Sequence, residues 1–288
     1  MTAELYSDSL HSRTKVRGLT HAYYRYPARF PPEFVRESIL NFSQPGDYVL
    51  DAFMGGGTTI VEAIANGRNA IGFDISPLAN FITNVKTTPL SENDKNSIID
   101  WALNINLSNI SEVKIEANEL KNIPDEQKFI LNHIANEIKN LELPRQRNFA
   151  KCMLLRLGQW MLDCRQSIPT EDKIQVEFVK LVNQAIKGLD EFVSLSKESG
   201  IAKNKITGCR KLFVGSIDNL DKQKVLAGHK ERIKLILTSP PYPGVHVLYH
   251  RWQVNSRKET AAPFWLAGLS DGMVKLIILL VAVQCEAN

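Results

Sequence analysis

The stretch Val49-Leu50-Asp51-Ala52-Phe53-Met54-Gly55-Gly56-Gly57-Thr58-Thr59 decides the fold, because it predicts a buried strand, a glycine turn and a helix in succession. The three glycines carry no Cβ atoms, so a ligand can lie directly on the main chain of the turn. A P-loop would need Gly-Lys-Ser/Thr after its glycines, and no lysine follows here. A dinucleotide fingerprint would need a further glycine at position 60, which is Ile60. The remaining class of site binds a nucleoside without a pyrophosphate.

Outward from this turn, the sequence predicts an α/β domain with a mostly parallel sheet. The predicted strands are 48–50, 70–73, 211–214 and 233–237. Residues 91–199 instead repeat apolar side chains at intervals of three and four, which predicts about four consecutive helices. We therefore predict one catalytic domain from residues 21–90 and 205–288, with a helical insertion at 91–204 between the second and third strands.

Composition excludes several classes of protein. The chain has 288 residues, of which 44% are apolar and 23% charged, so it can bury a full core and is not disordered. None of the four cysteines forms a CxxC pair, so we expect no zinc site and no metal. The apolar run 274–283 is interrupted by Lys275 and is too short to span a bilayer. With no apolar run at the start either, we expect a cytoplasmic protein that does not associate with membranes.

Asp74 is the first acidic residue after the second predicted strand. A carboxylate at the tip of that strand can accept both hydrogens of a ribose diol. The alternative is a turn or helix-capping aspartate within Asp74-Ile75-Ser76-Pro77, which would be the better interpretation of the residue taken alone. The glycine turn upstream favours the ribose role.

The segment Leu237-Thr238-Ser239-Pro240-Pro241-Tyr242 directly follows an apolar strand. The alternative here is a plain polar turn, but two prolines at the end of a core strand fix the backbone as a rigid platform. This platform offers the Ser239 hydroxyl, the Pro240 carbonyl and the aromatic face of Tyr242. Those groups suit a nucleobase held by its exocyclic amino group and stacked on a ring.

Together these motifs resemble the S-adenosylmethionine-dependent amino-methyltransferases of DNA, which methylate cytosine N4 or adenine N6. The resemblance covers about residues 21–86 and 209–266 and implies a Rossmann-like methyltransferase sheet. It implies a catalytic tetrapeptide formed by Ser239, Pro240, Pro241 and Tyr242. The residues that it implies for S-adenosylmethionine are Tyr26, Arg29, Phe30, Asp51, Phe53, Gly55, Gly57, Thr58, Asp74 and Asp218.

Within the resembled family, Ser-Pro-Pro-Tyr favours cytosine N4, whereas Asp- or Asn-Pro-Pro-Tyr favours adenine N6. We therefore expect methylation of cytosine N4 in double-stranded DNA, within a restriction–modification system that includes a cognate endonuclease. The C5-cytosine class is disfavoured, because its cysteine nucleophile follows a proline and no cysteine here does so. Adenine N6 in DNA and a guanine amino group in tRNA remain alternatives.

Two basic stretches are candidates for contact with DNA. Residues 145–165 carry five basic residues and one acidic residue, and the segment after the tetrapeptide interleaves basic and aromatic side chains. The predicted contacts are Arg145, Arg147, Lys151, Arg251 and Trp252. A solvated helix face and an aromatic cluster packed on the core are about equally good interpretations. The insertion at 91–204 is accordingly a candidate target-recognition region.

The C-terminal part departs from the resembled pattern. The family has seven strands, three of them after the tetrapeptide, but residues 243–288 contain one clear strand pattern, at 274–283. We therefore expect a sheet that is incomplete at its C-terminal end, as in a truncated chain. A non-catalytic remnant that only binds nucleic acid or cofactor is a third alternative for the function.

Overall fold

The computed structural model describes residues 18–26, 29–107, 110, 115–164, 167, 169–217, 232–240, 251–254 and 258–270. The helices are α1 (Pro32–Phe42), α2 (Thr58–Ala65), α3 (Pro77–Lys86), α4 (Glu92–Asn104), α5 (Asp125–Glu137), α6 (Pro144–Leu162), α7 (Glu171–Glu198) and α8 (Ala262–Ala267). The strands are β1 (Tyr48–Asp51), β2 (Asn69–Asp74), β3 (Arg210–Val214), β4 (Ile233–Ile236), β5 (Trp252–Val254) and β6 (Lys258–Thr260). Within these ranges, no helix combines the length and the apolar character needed to cross a membrane.

Four strands form a parallel sheet in the order β3-β2-β1-β4. The chain builds outward from β1 through β2 to β3 and then returns to the other side of β1 for β4. The strand order therefore reverses between β1 and β4, and ligands of open α/β sheets bind at such a reversal, beyond the carboxyl ends of the strands. This sheet confirms the predicted α/β class.

The two central strands of the sheet, β1 and β2, are buried on both faces by alternating side chains. Val49 and Ala70 belong to the main hydrophobic core, while Leu50, Ile71 and Phe73 form a second cluster on the opposite face. Phe73 stacks on a ring of β3 with centroids 4.7 Å apart. A strand buried on both faces has a nearly continuous apolar sequence, which explains the pattern of β1 and β2.

Between β2 and β3, helix α3 is followed by four α-helices, α4 to α7, which lie where the periodicity predicts them. Helix α4 begins with a capping box, in which the Ser91 hydroxyl accepts the Asp94 N–H and the Asp94 carboxylate accepts the Ser91 N–H. Helix α6 begins at Pro144, whose fixed φ suits the first helical position. The apolar side chains of this block join the same hydrophobic core as helices α1 to α3. The boundaries of the block as a separate domain remain a prediction.

The strands β5 and β6 form an antiparallel hairpin apart from the main sheet. The Trp252 side chain is 1% exposed and lies so close to α6 that a Cβ on Gly158 would be 2.5 Å from its ring. Its Nε1 donates to the Tyr24 hydroxyl at 3.0 Å. The hairpin is therefore held by the helical block and by the segment before α1. The strand predicted at 274–283 lies outside the described residues.

Candidate active site

The glycine turn joins β1 to α2 in a conformation that requires glycine. Gly55 and Gly57 have φ values of 47° and 74°, in the left-handed region. The Gly57 N–H donates to the Met54 carbonyl at 2.7 Å, which closes the turn. A Cβ on Gly57 would lie 2.4 Å from Thr83 Oγ1 of α3. Both the backbone conformation and the close approach of α3 therefore exclude a side chain at this position.

Tyr26 and Lys86 hold this turn from two directions. A Cβ on Gly55 or on Gly56 would be 2.9 Å from the Tyr26 side chain, so the tyrosine packs directly on the main chain. Lys86 Nζ donates to the Gly56 carbonyl at 2.5 Å from a side chain that is fully buried. Burial, with a smaller contribution from Arg29, lowers the pKa of Lys86 to about 7. No sequence pattern predicts this role of Lys86, which is the last residue and the one charged residue of α3.

Asp74 lies at the end of β2 and binds two backbone N–H groups. Its Oδ2 accepts from Gly55 at 2.9 Å and its Oδ1 accepts from Ser76 at 2.8 Å. Burial raises the pKa of Asp74, and these two hydrogen bonds lower it. The turn-aspartate role is thus present in the structure. A carboxylate offers about four acceptor positions, so two remain for a ribose diol, and that role stays a prediction.

Asp51 and Thr238 connect the glycine turn to β4. The Phe53 N–H points at both Asp51 Oδ1 and Thr238 Oγ1, each at 3.1 Å. Burial raises the pKa of Asp51 to about 6, although hydrogen bonds from hydroxyl groups and from the Phe53 N–H oppose the rise. The main chain of β4 continues this link, since the Leu237 N–H donates to the Leu50 carbonyl at 2.9 Å. Ser239 therefore directly follows Thr238, a residue that contacts the glycine turn.

The fit of S-adenosylmethionine can be judged from the groups around the turn. The edge of the sheet offers glycine main chain and acceptor positions on Asp74. Phe53 and Ile75 beside them are 36% and 38% exposed, which provides apolar surface for a purine ring. The ribose and the base of such a cofactor match these groups. Sequence reasoning missed Ile75, although its position directly after Asp74 could have indicated it.

The remaining residues predicted to bind the cofactor lie in a neighbouring segment, at the start of a helix or outside the described residues. Arg29 Nη1 donates to the His21 carbonyl at 3.1 Å, and the Phe30 ring lies 5.6 Å from the Phe34 ring. Both side chains therefore help to anchor the segment that carries Tyr26. Thr58 is the first residue of α2 and is buried. Three predicted site residues, Asp218, Pro241 and Tyr242, lie outside the described residues.

The predicted DNA contacts on α6 are bonded within the protein. Arg145 Nε donates to Asp94 Oδ2 at 2.7 Å. Arg147 Nη1 donates to two carbonyls of the preceding loop, and Lys151 Nζ donates to the Ala267 carbonyl at 3.3 Å. These bonds tie the three side chains to the protein, and their contact with DNA stays a prediction.

The predicted contacts on the hairpin differ from each other. Trp252 offers no exposed ring face to a base, so its role is packing, contrary to the expectation. Arg251 lies 3.9 Å from Glu259 across the hairpin, which is a weak ion pair at the surface. No group of three or more histidine, cysteine or acidic side chains in the described parts of the chain could hold a metal ion.

Comparison with known proteins identifies the class of this site. Residues 4–84 match the DNA methylase family. The chain is 33% identical over 116 residues to the type II methyltransferase M.MvaI of Kocuria varians, which is 39% of this chain and 25% of that protein. It is 32% identical over 165 residues to the type II methyltransferase M.BsoBI of Geobacillus stearothermophilus, or 57% and 28%. It is also 44% identical over 62 residues to the DNA adenine methyltransferase YhdJ of Escherichia coli, or 22% and 21%.

These matches confirm the predicted resemblance to the amino-methyltransferases of DNA. The family model covers the glycine turn and Asp74 and ends before the Ser-Pro-Pro-Tyr segment. The matched residues are similar to the amino-methyltransferase family of DNA methylases. The chain matches only about a quarter of the length of M.MvaI and of M.BsoBI. No solved structure matches it.

Proposed function

We propose that this protein transfers a methyl group from S-adenosylmethionine to the exocyclic amino group of a flipped base in double-stranded DNA, with cytosine N4 as the acceptor. The modification would protect DNA within a restriction–modification system that includes a cognate endonuclease. The names of M.MvaI and M.BsoBI, both type II methyltransferases, support this assignment.

One observation carries the proposal: three motifs that are far apart in the sequence meet at one edge of the sheet. The turn after β1 contacts Asp74 after β2 through the 2.9 Å bond from the Gly55 N–H. The same turn contacts Thr238 after β4 through the 3.1 Å bond from the Phe53 N–H. This edge is also where the strand order reverses. A cofactor on the turn and a base beside Ser239 would therefore be neighbours.

For this reaction the protein must make an exocyclic amine more nucleophilic and align it with the methyl group. An exocyclic amine is a poor nucleophile, because its lone pair is delocalised into the ring. The Ser239 hydroxyl oxygen and the Pro240 carbonyl oxygen would accept its two hydrogens and favour a pyramidal nitrogen. S-adenosylmethionine, when bound, supplies an electrophilic methyl group. The rest of the rate enhancement would come from alignment of the nitrogen by the rigid proline segment.

The choice of base rests on Ser239. In the resembled family, serine at this position favours cytosine N4 over adenine N6. YhdJ, an adenine methyltransferase by name, is among the similar proteins, so adenine N6 is the outcome to test against.

The test is base-modification sequencing of DNA from a methylation-free bacterial host that expresses the chain. N4-methylcytosine at a fixed short sequence would support the proposal, while N6-methyladenine would keep the reaction and overturn the base. The matched control is Ser239→Ala, because the hydroxyl is the atom assigned to the acceptor. We expect this variant to slow methyl transfer by about 100-fold while cofactor affinity changes little. Equal losses of transfer and cofactor affinity would contradict the role given to Ser239.

A further inference from the structure

Three arginines, Arg25, Arg29 and Arg156, come together beside the glycine turn. Gln159 of α6 fixes the backbone of Arg25, since its Oε1 accepts the Arg25 N–H at 3.0 Å and its Nε2 donates to the Arg25 carbonyl at 2.8 Å. Arg156 lies one helical turn before Gln159, and its Nη1 is 3.4 Å from the same Oε1. Tyr26 follows Arg25 directly and packs on Gly55 and Gly56. The cluster is therefore rigidly attached to the proposed cofactor site.

The second feature of this arginine cluster is its positive charge, which no ion pair with a described residue offsets. Among the described residues, no carboxylate lies within ion-pair distance of the three guanidinium groups. Glu177 acts on Arg156 only through its charge and is itself paired with Lys180 at 2.9 Å. Burial lowers the pKa of Arg29 and of Arg156, and the neighbouring arginines lower both further. Cations held together without an acid are a site for an anion that comes from outside.

One member of the cluster, Arg25, differs from the basic residues of α6 that the sequence predicts to contact DNA. Arg145 and Arg147 donate to acceptors of the protein itself at 2.7 Å. The Arg25 side chain, by contrast, is exposed and makes no hydrogen bond to another described residue. Its guanidinium remains available for a bidentate contact with a phosphate.

We propose that Arg25, Arg29 and Arg156 form a phosphate-binding site for the DNA backbone next to the flipped nucleotide. A base that leaves the stack must have its own backbone held at the mouth of the pocket. Tyr26, next to Arg25 in the chain, packs on the glycine turn that the proposed cofactor would occupy. The assignment of the bound anion to the DNA backbone beside a flipped nucleotide rests on the proposed function. The anion site itself rests on the position and charge of the three side chains.

The test measures the salt dependence of binding to a labelled DNA duplex by fluorescence anisotropy. Each phosphate contact contributes about 0.9 to the slope of log K against log salt. We therefore expect Arg25→Gln to lower that slope by about one and to weaken binding about eightfold at about 0.1 M salt. Arg156→Gln should act in the same direction, and Arg156→Lys should recover most of the slope because it keeps the charge.

Lys205→Gln is the matched control. It removes the same charge from an exposed residue just before β3, at the opposite edge of the sheet from the glycine turn. This variant should leave the slope unchanged. Thermal melting of each variant verifies that it folds, which we expect for Arg25→Gln because that side chain is exposed.

Three results would overturn the inference: no binding of DNA by the wild-type chain, an unchanged slope in Arg25→Gln, or tighter binding to RNA than to DNA. A loss of cofactor affinity with unchanged DNA binding would assign the cluster to the carboxylate of the cofactor instead. The proposed function fails separately. If the wild-type chain binds DNA with the expected slopes but methylates neither cytosine nor adenine, the phosphate site stands and the reaction does not.

Discussion

Replacement of Gly57 by alanine should destabilise the fold through two separate effects. The residue has φ of 74°, and the left-handed conformation costs a non-glycine residue about 1 kcal/mol. The new Cβ would also lie 2.4 Å from Thr83 Oγ1 and 2.7 Å from Thr83 Cγ2. Relief of such overpacking costs about 1–3 kcal/mol. We therefore expect Gly57→Ala to lower the free energy of unfolding by about 3 kcal/mol.

Two further variants separate these effects. Gly46 has φ of 88°, and a Cβ there would meet no atom within 4 Å, so Gly46→Ala reports the backbone effect alone, at about 1 kcal/mol. Thr83→Ala removes both atoms nearest to the new Cβ, so it should restore about 1 kcal/mol in the Gly57→Ala background. Urea unfolding of five proteins measures each contribution: the wild type, Gly46→Ala, and the Gly57→Ala, Thr83→Ala and double variants that complete the cycle for positions 57 and 83.

The same variants report on the cofactor turn. We expect Gly57→Ala to weaken S-adenosylmethionine binding, measured by calorimetry, at concentrations where the variant is still folded. Equal destabilisation by Gly46→Ala and Gly57→Ala would refute the close approach of α3. So would a double variant that shows no coupling between positions 57 and 83.

Two other expectations concern charged groups at the turn. Asp74→Ala should lower cofactor affinity by about 10- to 100-fold in equilibrium titration, because two charge-assisted hydrogen bonds to the ribose would be lost. The effect on the transfer rate at saturating cofactor should be smaller. Unchanged affinity would exclude the ribose role. The pKa of Lys86 falls from its ordinary 10.5 to about 7 on folding, so the unfolded chain holds more protons between these values and the stability should rise with pH. Between pH 7 and about pH 9, the free energy of unfolding should rise by about 2 kcal/mol less in Lys86→Met than in the wild type. Urea unfolding at both pH values measures this difference. Parallel pH profiles of the two proteins would contradict a buried, titrating lysine.

The sheet could be predicted from the sequence because its determinants are local. A strand buried on both faces has a short apolar run, and a left-handed turn needs glycine, so 49–59 indicates its structure without its neighbours. The helical block was predictable for the same reason, since an amphipathic helix repeats at three and four residues. The contacts of Thr83 and Lys86 with the turn depend instead on how α3 packs across it. No local pattern encodes that packing.

The predicted nucleic-acid contacts show where charge in a sequence stops being informative. Five basic residues in 145–165 indicate a positive surface only if no acidic residue from another part of the chain pairs with them. Asp94, 51 residues before Arg145, supplies such a partner, and hydrogen bonds from Arg145 and Ser91 outweigh burial and lower the pKa of Asp94 to about 2. Trp252 illustrates the same limit for aromatic residues, because Gly158 provides the space into which its ring packs. Only the structure shows that Arg145 and Trp252 make contacts within the protein, whereas the Arg25 side chain is exposed.

The two anchors of the catalytic segment both lead back to the cofactor turn. On the near side, Thr238 accepts the Phe53 N–H of the turn. On the far side, Trp252 donates to the Tyr24 hydroxyl, two residues before the tyrosine that packs on the turn. Residues 239–251 join these anchors, so a cofactor that shifts Tyr26 or Phe53 would act on both ends of the segment that carries Ser239. Removal of one anchor by Tyr24→Phe, which keeps the ring and deletes only the hydroxyl, should therefore lower the transfer rate more than it lowers cofactor affinity. An equal effect on both quantities in single-turnover assays would show that the far anchor supports the fold alone.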